Sequence, residues 1–187
     1  MGKPQPVTET IILGVDPGTN IMGYGILKVK NKDLQLLNYG VIHLNKYTNH
    51  EVKLKKIFEL VINLIDDFHP DEMALEAPFY GKNIQSMLKL GRAQGVAIAA
   101  ALTREIPIKE YAPKKVKQSV TGNGNASKEQ VAKMLQTLLK FTETPQFLDA
   151  TDALAVALCH HFQKDNPVLK GKSWQAFVSE NPDRIQR

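Results

Sequence analysis

Apolar residues recur along the chain with two different periods, and the switches between them mark out the elements. Ile11 to Val15 is a short apolar run closed by Asp16-Pro17-Gly18, which predicts a buried strand ending in a turn. Gly23 to Val29 and Leu36 to Leu44 follow as strand-like stretches around the polar turn Lys30 to Asp33, so the chain opens as a three-stranded meander. Leu54, Ile57, Phe58, Val61, Leu64, Ile65 and Phe68 then fall at helical spacing, and His69-Pro70 ends that helix. Glu72 to Glu76 is a short strand halted by Ala77-Pro78. Asn83 to Arg104 reads as a long helix, rich in small residues from Gly91 to Ala101, and Ile106 to Tyr111 as a fifth strand.

The rest of the chain is helical. Pro113 can open a helix, because its missing N–H is not needed there. Thr121 to Asn125 is a loop, and Ser127 with Gln130 has the spacing of a capping box, starting a helix to about Lys140. Pro145 precedes a last helix from about Gln146 to Gln163, and beyond Asn166-Pro167 periodicity is lost. The order βββ-α-β-α-β-α-α-α predicts an α/β fold, a five-stranded mixed sheet with helices on both faces. The expected division is an N-terminal extension over 1–10, one domain over 11–165 and a C-terminal tail over 166–187.

Composition narrows the class without deciding it. The 187 residues, 43% hydrophobic and 23% charged, are ordinary for a soluble domain with a sizeable core. Even a seven-residue apolar run such as Val96 to Leu102 is too short to span a bilayer, and Met1 to Thr10 has no secretory pattern. A lone cysteine, Cys159, permits no internal disulfide, which fits a reducing cytoplasm. Of the net charge of +5, the segment Lys109 to Lys133 carries six lysines against two glutamates. Such a run is either a solvated face or a patch for phosphates, and charge alone does not choose.

Four acids stand out. Asp16 ends the first strand, Glu76 ends the fourth, and Asp149 and Asp152 are three apart on the last helix, hence on one face. Taken singly, Asp16 is a turn residue and Asp149 a helix-start acid. Taken together they make a hard oxygen site suited to magnesium or manganese, and no Cys/His spacing suggests zinc. Two such ions about 4 Å apart can clamp both oxygens exchanged at a phosphodiester. No basic residue lies within the acidic motifs, so the acids are expected to repel and take up protons without metal. Asp152→Asn is then expected to melt above wild type in EDTA.

Leu13-Gly14-Val15-Asp16-Pro17-Gly18-Thr19 with Gly23-Tyr24-Gly25, then Leu75-Glu76-Ala77-Pro78-Phe79, Lys82-Asn83 and Leu88-Lys89-Leu90-Gly91, form an ordered series of motifs. Val116-Lys117-Gln118 and Asp149-Ala150-Thr151-Asp152-Ala153-Leu154-Ala155 complete it. The series, from Ile11 to His161, resembles the RuvC family of Holliday junction resolvases, which have a ribonuclease H-like fold. The resemblance implies that Asp16, Glu76, Asp149 and Asp152 are catalytic, metal-binding carboxylates. It implies Lys117 and Lys128 near the scissile phosphates, and Phe79 at the opened bases of the junction centre. Without the family, Phe79 after a buried strand reads as core.

The resemblance further implies a homodimeric endonuclease that nicks two opposed strands of a four-way DNA junction, in homologous recombination and DNA repair. It implies two Mg2+ ions per subunit, with Mn2+ able to substitute, and a branch-migration helicase complex as partner. Rival readings are an actin-like nucleotide-binding module, for which one lobe is too little, a junction-binding protein without catalysis, and a nuclease for another substrate.

Overall fold

The computed structural model describes residues 9–31, 33–77, 83–141 and 148–164. The strands are β1 (Glu9–Asp16), β2 (Ile21–Lys30), β3 (Asp33–His43), β4 (Glu72–Glu76) and β5 (Ile108–Tyr111). The helices are α1 (His50–Phe68), α2 (Ile84–Leu102), α3 (Pro113–Thr121), α4 (Lys128–Leu139) and α5 (Leu148–Lys164). The sheet runs β3-β2-β1-β4-β5, antiparallel through β3, β2 and β1 and parallel through β1, β4 and β5. The expected order and the mixed sheet of a ribonuclease H-like fold are both present.

Strand periodicity divides the core in two, because successive side chains point to opposite faces. Ile12, Leu27, Val29 and Ala74 face α3, α4 and α5, while Leu13, Val15, Met22, Ile26, Met73 and Leu75 face α1 and α2. Asp16 shares the parity of Ile12 and Gly14, and Glu76 that of Ala74. Both acids therefore belong to the α5 face.

Helix ends follow the local chemistry. Asn49 caps α1 by accepting from the N–H groups of Glu51 and Val52, so the helix starts before its apolar stripe. Ser127 and Gln130 form the expected capping box on α4. Several boundaries differ: β2 starts at Ile21 rather than Gly23, β3 at Asp33 rather than Leu36, and the ends of α2 draw in to Ile84 and Leu102. β1 starts at Glu9, since Glu9 and Thr10 pair with Lys30 and Val29, which shortens the expected extension. β5 starts at Ile108 rather than Ile106, because the Ile106 N–H still bonds back to the Ala101 carbonyl.

One helix lies unusually near the sheet. A Cβ on Gly14 would stand 2.1 Å from the Ala153 carbonyl oxygen, and one on Gly23 2.0 Å from that of Asp149. On Gly25 it would meet the Leu154 side chain at 2.5 Å. Gly14 and Gly25 are cross-strand partners, and Gly23 is the partner of Asp16. A bare strip of backbone thus lets α5 settle on β1 and β2, with Asp149 beside Asp16. Gly23→Ala is expected to push the first turn of α5 away, costing about 1–3 kcal/mol by overpacking and weakening any activity of the acids. Thermal melts check this; an unchanged midpoint would contradict the close contact.

Candidate active site

The parallel register brings the first two acids together. Val15 is opposite Leu75, and the next step along each strand is Asp16 and Glu76. Asp149 and Asp152 come down on them from α5, whose first turn is fixed by the glycine strip. Carboxylate oxygens of Asp16, Asp149 and Asp152 lie within 4.8 Å of one another. Glu76 stands at the rim of this trio, near enough for its charge to act on Asp16 and for that of Asp152 to act on Glu76.

The electrostatics record the crowding. Burial, then the charges of Asp152 and Glu76, push the Asp16 carboxyl up to about 7 from an ordinary 3.8, against the pull of Lys128. Burial and the charge of Asp152 also raise Glu76, opposed by Lys128 and Lys117. Lys128 forms a short ion pair with Asp152 and stands 4.0 Å from Asp149. Burial draws the Lys128 ammonium down, but the hydrogen bond to Asp152 and the surrounding acids hold it above its usual value.

That ion pair corrects one sequence expectation. Asp152 does have a basic partner, 24 residues earlier in the chain, so removing its charge leaves Lys128 without its nearest acid. Asp16 and Glu76 are the acids that burial and neighbouring charge push upward, Asp16 to about 7 despite the pull of Lys128. Relief of repulsion is therefore to be sought at Asp16→Asn, and Asp152→Asn no longer carries that expectation.

Lys117, on α3, is brought to the same side, close enough for its charge to lower Glu76. Phe79 lies outside the described residues. Two contributors had no signal in the sequence. Gln94, buried on α2, donates to Glu110 and at 3.4 Å to the main-chain oxygen of Glu76. Lys53, on α1, donates to the Thr19 carbonyl in the turn after Asp16.

A second polar group lies towards the other end of β4. His160 reads from sequence as a helix-end cation. In the fold it is buried, with Nδ1 bonded to the Tyr111 hydroxyl at 2.7 Å and Nε2 to Glu72. Lys164 also pairs with Glu72, at 2.6 Å. Lys109 and these four residues line a pocket of about 510 Å3. The lysine-rich segment therefore does not form one patch, because Lys109 points its charge elsewhere than Lys117 and Lys128.

All four donors are carboxylates, the chemistry a hard divalent cation prefers. Among the described residues, Asp16, Asp149 and Asp152 are the one group of His, Cys, Asp or Glu side chains spaced to share an ion. A cation already stands against them as the Lys128 ammonium. The residues fit a metal site.

Comparison with known proteins agrees with the geometry. The family described as crossover junction endodeoxyribonuclease RuvC matches residues 12–160. The crossover junction endodeoxyribonuclease RuvC of Cytophaga hutchinsonii is 62% identical over 187 residues, covering 100% of this chain and 94% of that protein. That of Christiangramia forsetii is 59% identical over 182 residues, covering 96% and 94%. Among solved structures, Thermus thermophilus RuvC in complex with Holliday junction substrate superposes with a TM-score of 0.78 at 31% identity, covering 83% of this chain and 94% of that one. With its fold, its acidic cluster and its near full-length relatives in agreement, the chain belongs to the RuvC family of crossover junction endodeoxyribonucleases.

Proposed function

We propose that this endonuclease resolves four-way DNA junctions by nicking two opposed strands symmetrically, in homologous recombination and DNA repair in the cytoplasm. The observation that carries the reading is the acidic trio, three carboxylates from β1 and α5 within 4.8 Å, with Glu76 at its rim and Lys128 and Lys117 beside it. The solved Thermus thermophilus relative is bound to a Holliday junction, which supports the choice of substrate. The nuclease domain is assigned to about 11–165, its first strand reaching back to Glu9, with the flanking segments as extension and tail.

Asp16, Glu76, Asp149 and Asp152 would hold two Mg2+ ions, with Mn2+ able to replace them. Bound there, the ions would supply charge neutralisation at the attacking and leaving oxygens of the phosphodiester. The chain's own residues do the rest. Asp16 would hold an ion in its ionised form, against the burial and neighbouring charge that raise its carboxyl. Lys117 and Lys128 set positive charge at the mouth of the site, where a scissile phosphate is drawn in. Phe79, in the segment after Glu76, is assigned to the opened bases at the junction centre.

A homodimer with one site per subunit explains the symmetry of cutting. Supporting it, Ile84, Leu88, Gly91, Gly95, Ile98 and Leu102 recur along α2 at alternating steps of four and three, a single stripe. Ile84, Leu88 and Leu102 are exposed, and nothing stands within 4 Å of a Cβ added at Gly91 or Gly95. Small residues at that spacing let two helices approach closely. The branch-migration helicase complex is assigned as partner from the family resemblance.

Labelling each strand of a synthetic junction in turn tests the reading: two opposed strands should be nicked at equivalent positions, and nicking of one strand alone would defeat it. Lys117 offers a separate check. Lys117→Ala is expected to weaken junction binding and to flatten its dependence on log salt by about one unit of slope. An unchanged slope in a binding titration would place Lys117 off the DNA.

A further inference from the structure

We propose that Lys53 is a positioning residue for Asp16: by holding the Thr19 carbonyl it fixes the turn that sets the Asp16 carboxylate in the cluster. The assignment rests on the reading of Asp16 as a metal ligand. Lys53 belongs to α1, which covers the face of the sheet opposite the acids. Its ammonium nevertheless donates at 2.9 Å to the Thr19 carbonyl and at 3.3 Å to Oδ1 of Asn20.

The turn Pro17–Asn20 is restrained from several sides. Gly18 leaves no space for a side chain, since a Cβ would stand 1.8 Å from the Ile21 carbonyl oxygen. The Asn20 carbonyl accepts from the N–H groups of Leu44 and Asn45 at 2.7 and 3.0 Å, which ties the end of the turn to the end of β3. Lys53 ties the residue before it to α1. The opposite strand end has a counterpart, since Gln94 of α2 reaches the main-chain oxygen of Glu76. Both helices of the far face thus grip the backbone next to an acid of the site.

The grip is mechanical. The charges acting on Asp16 are those of Asp152, Glu76, Lys128 and Asp149, and Lys53 is not among them. Ligand geometry has to hold within about 0.5 Å for a functional constellation, so slack in a four-residue turn is costly. Lys53→Met keeps the apolar stem over α1 and removes the donor. Lys53→Arg keeps a donor that can reach a carbonyl.

Thermal melts across a Mg2+ titration, without DNA, test the proposal on wild type, K53M, K53R and D16N. The expected result is a metal-free midpoint near wild type for K53M and a Mg2+ response displaced on the order of tenfold to higher concentration. K53R should return to within about threefold of wild type, because it restores the donor. A Mg2+ response in K53M equal to wild type overturns the proposal, as does a metal-free midpoint in K53M far below wild type, which would make Lys53 a general prop. A flattened salt slope of junction binding with an unmoved Mg2+ response overturns it too, by making Lys53 a phosphate contact. If wild type itself shows no Mg2+ response, the metal reading of the acids fails and takes the proposal with it. A response present in wild type, lost in D16N and unmoved in K53M defeats the role of Lys53 alone.

Discussion

Asp16→Asn is expected to reduce cleavage of a four-way junction by about three orders of magnitude or more, while junction affinity stays within about threefold. The two effects separate because they arise from different groups. Asp16 stands at the end of β1 beside Asp149 and Asp152 of α5, and its carboxylate would be a ligand in the proposed site. Losing it would remove several kcal/mol of charge stabilisation at the reacting phosphate, and about 1.4 kcal/mol is a factor of ten in rate. DNA affinity is expected to come mainly from phosphate contacts with cationic side chains, a role that an acid such as Asp16 does not fill. Asn preserves the shape of the side chain and the packing against α5. Single-turnover cleavage with a parallel binding titration in EDTA checks both halves. Wild-type cutting by the variant would remove Asp16 from the catalytic set.

The same substitution should make the metal-free protein more stable. Folded Asp16 titrates at about 7, against 3.8 for the unperturbed group. The folded state therefore keeps a proton that the unfolded state releases between these two values, and stability falls as pH rises through that window. Below about pH 4 both states are protonated and the penalty vanishes; above about pH 7 it is complete. At about 1.36 kcal/mol per unit, discounted for solvent access to a partly buried site, the penalty is on the order of 2–4 kcal/mol. Asn has no proton to lose. In EDTA at pH 8, Asp16→Asn should melt several degrees above wild type, and the gap should close on descent to pH 4. Mg2+ should reverse the order, since it binds the folded wild-type site and the variant has lost a ligand. Melts at four or five pH values decide the matter; a variant less stable than wild type at pH 8 in EDTA would mean that burial and neighbouring acids do not penalise the Asp16 charge.

Much of this site was legible before the fold. Asp16 and Glu76 are visible because carboxylates at the ends of apolar strands are out of place, and Asp149 with Asp152 because three residues put both on one helix face. What periodicity cannot show is which strands become neighbours. Asp16 and Glu76 meet because β4 returns beside β1 after a helical crossover, a long-range choice made by the whole sheet. The glycines at 14, 23 and 25 were noticed as motif residues, but their reason is the approach of α5, more than a hundred residues away in sequence. Lys128 was assigned to phosphate, and its pairing with Asp152 depends on α4 being packed against α5. The surroundings of His160 are hidden from the sequence for a related cause. A histidine in the last turn of a helix suits the dipole, and nothing local reveals that Tyr111 and Glu72 enclose it.

The proposed metal-loaded carboxylate cluster should cut branched DNA in preference to linear DNA. Single-turnover cleavage of a labelled four-way junction and a matched linear duplex, each with Mg2+ and with EDTA, decides this. The expected result is cutting of the junction with Mg2+, little or none of the duplex, and none of either in EDTA. Equal cutting of both substrates, or junction cutting that persists in EDTA, would overturn it.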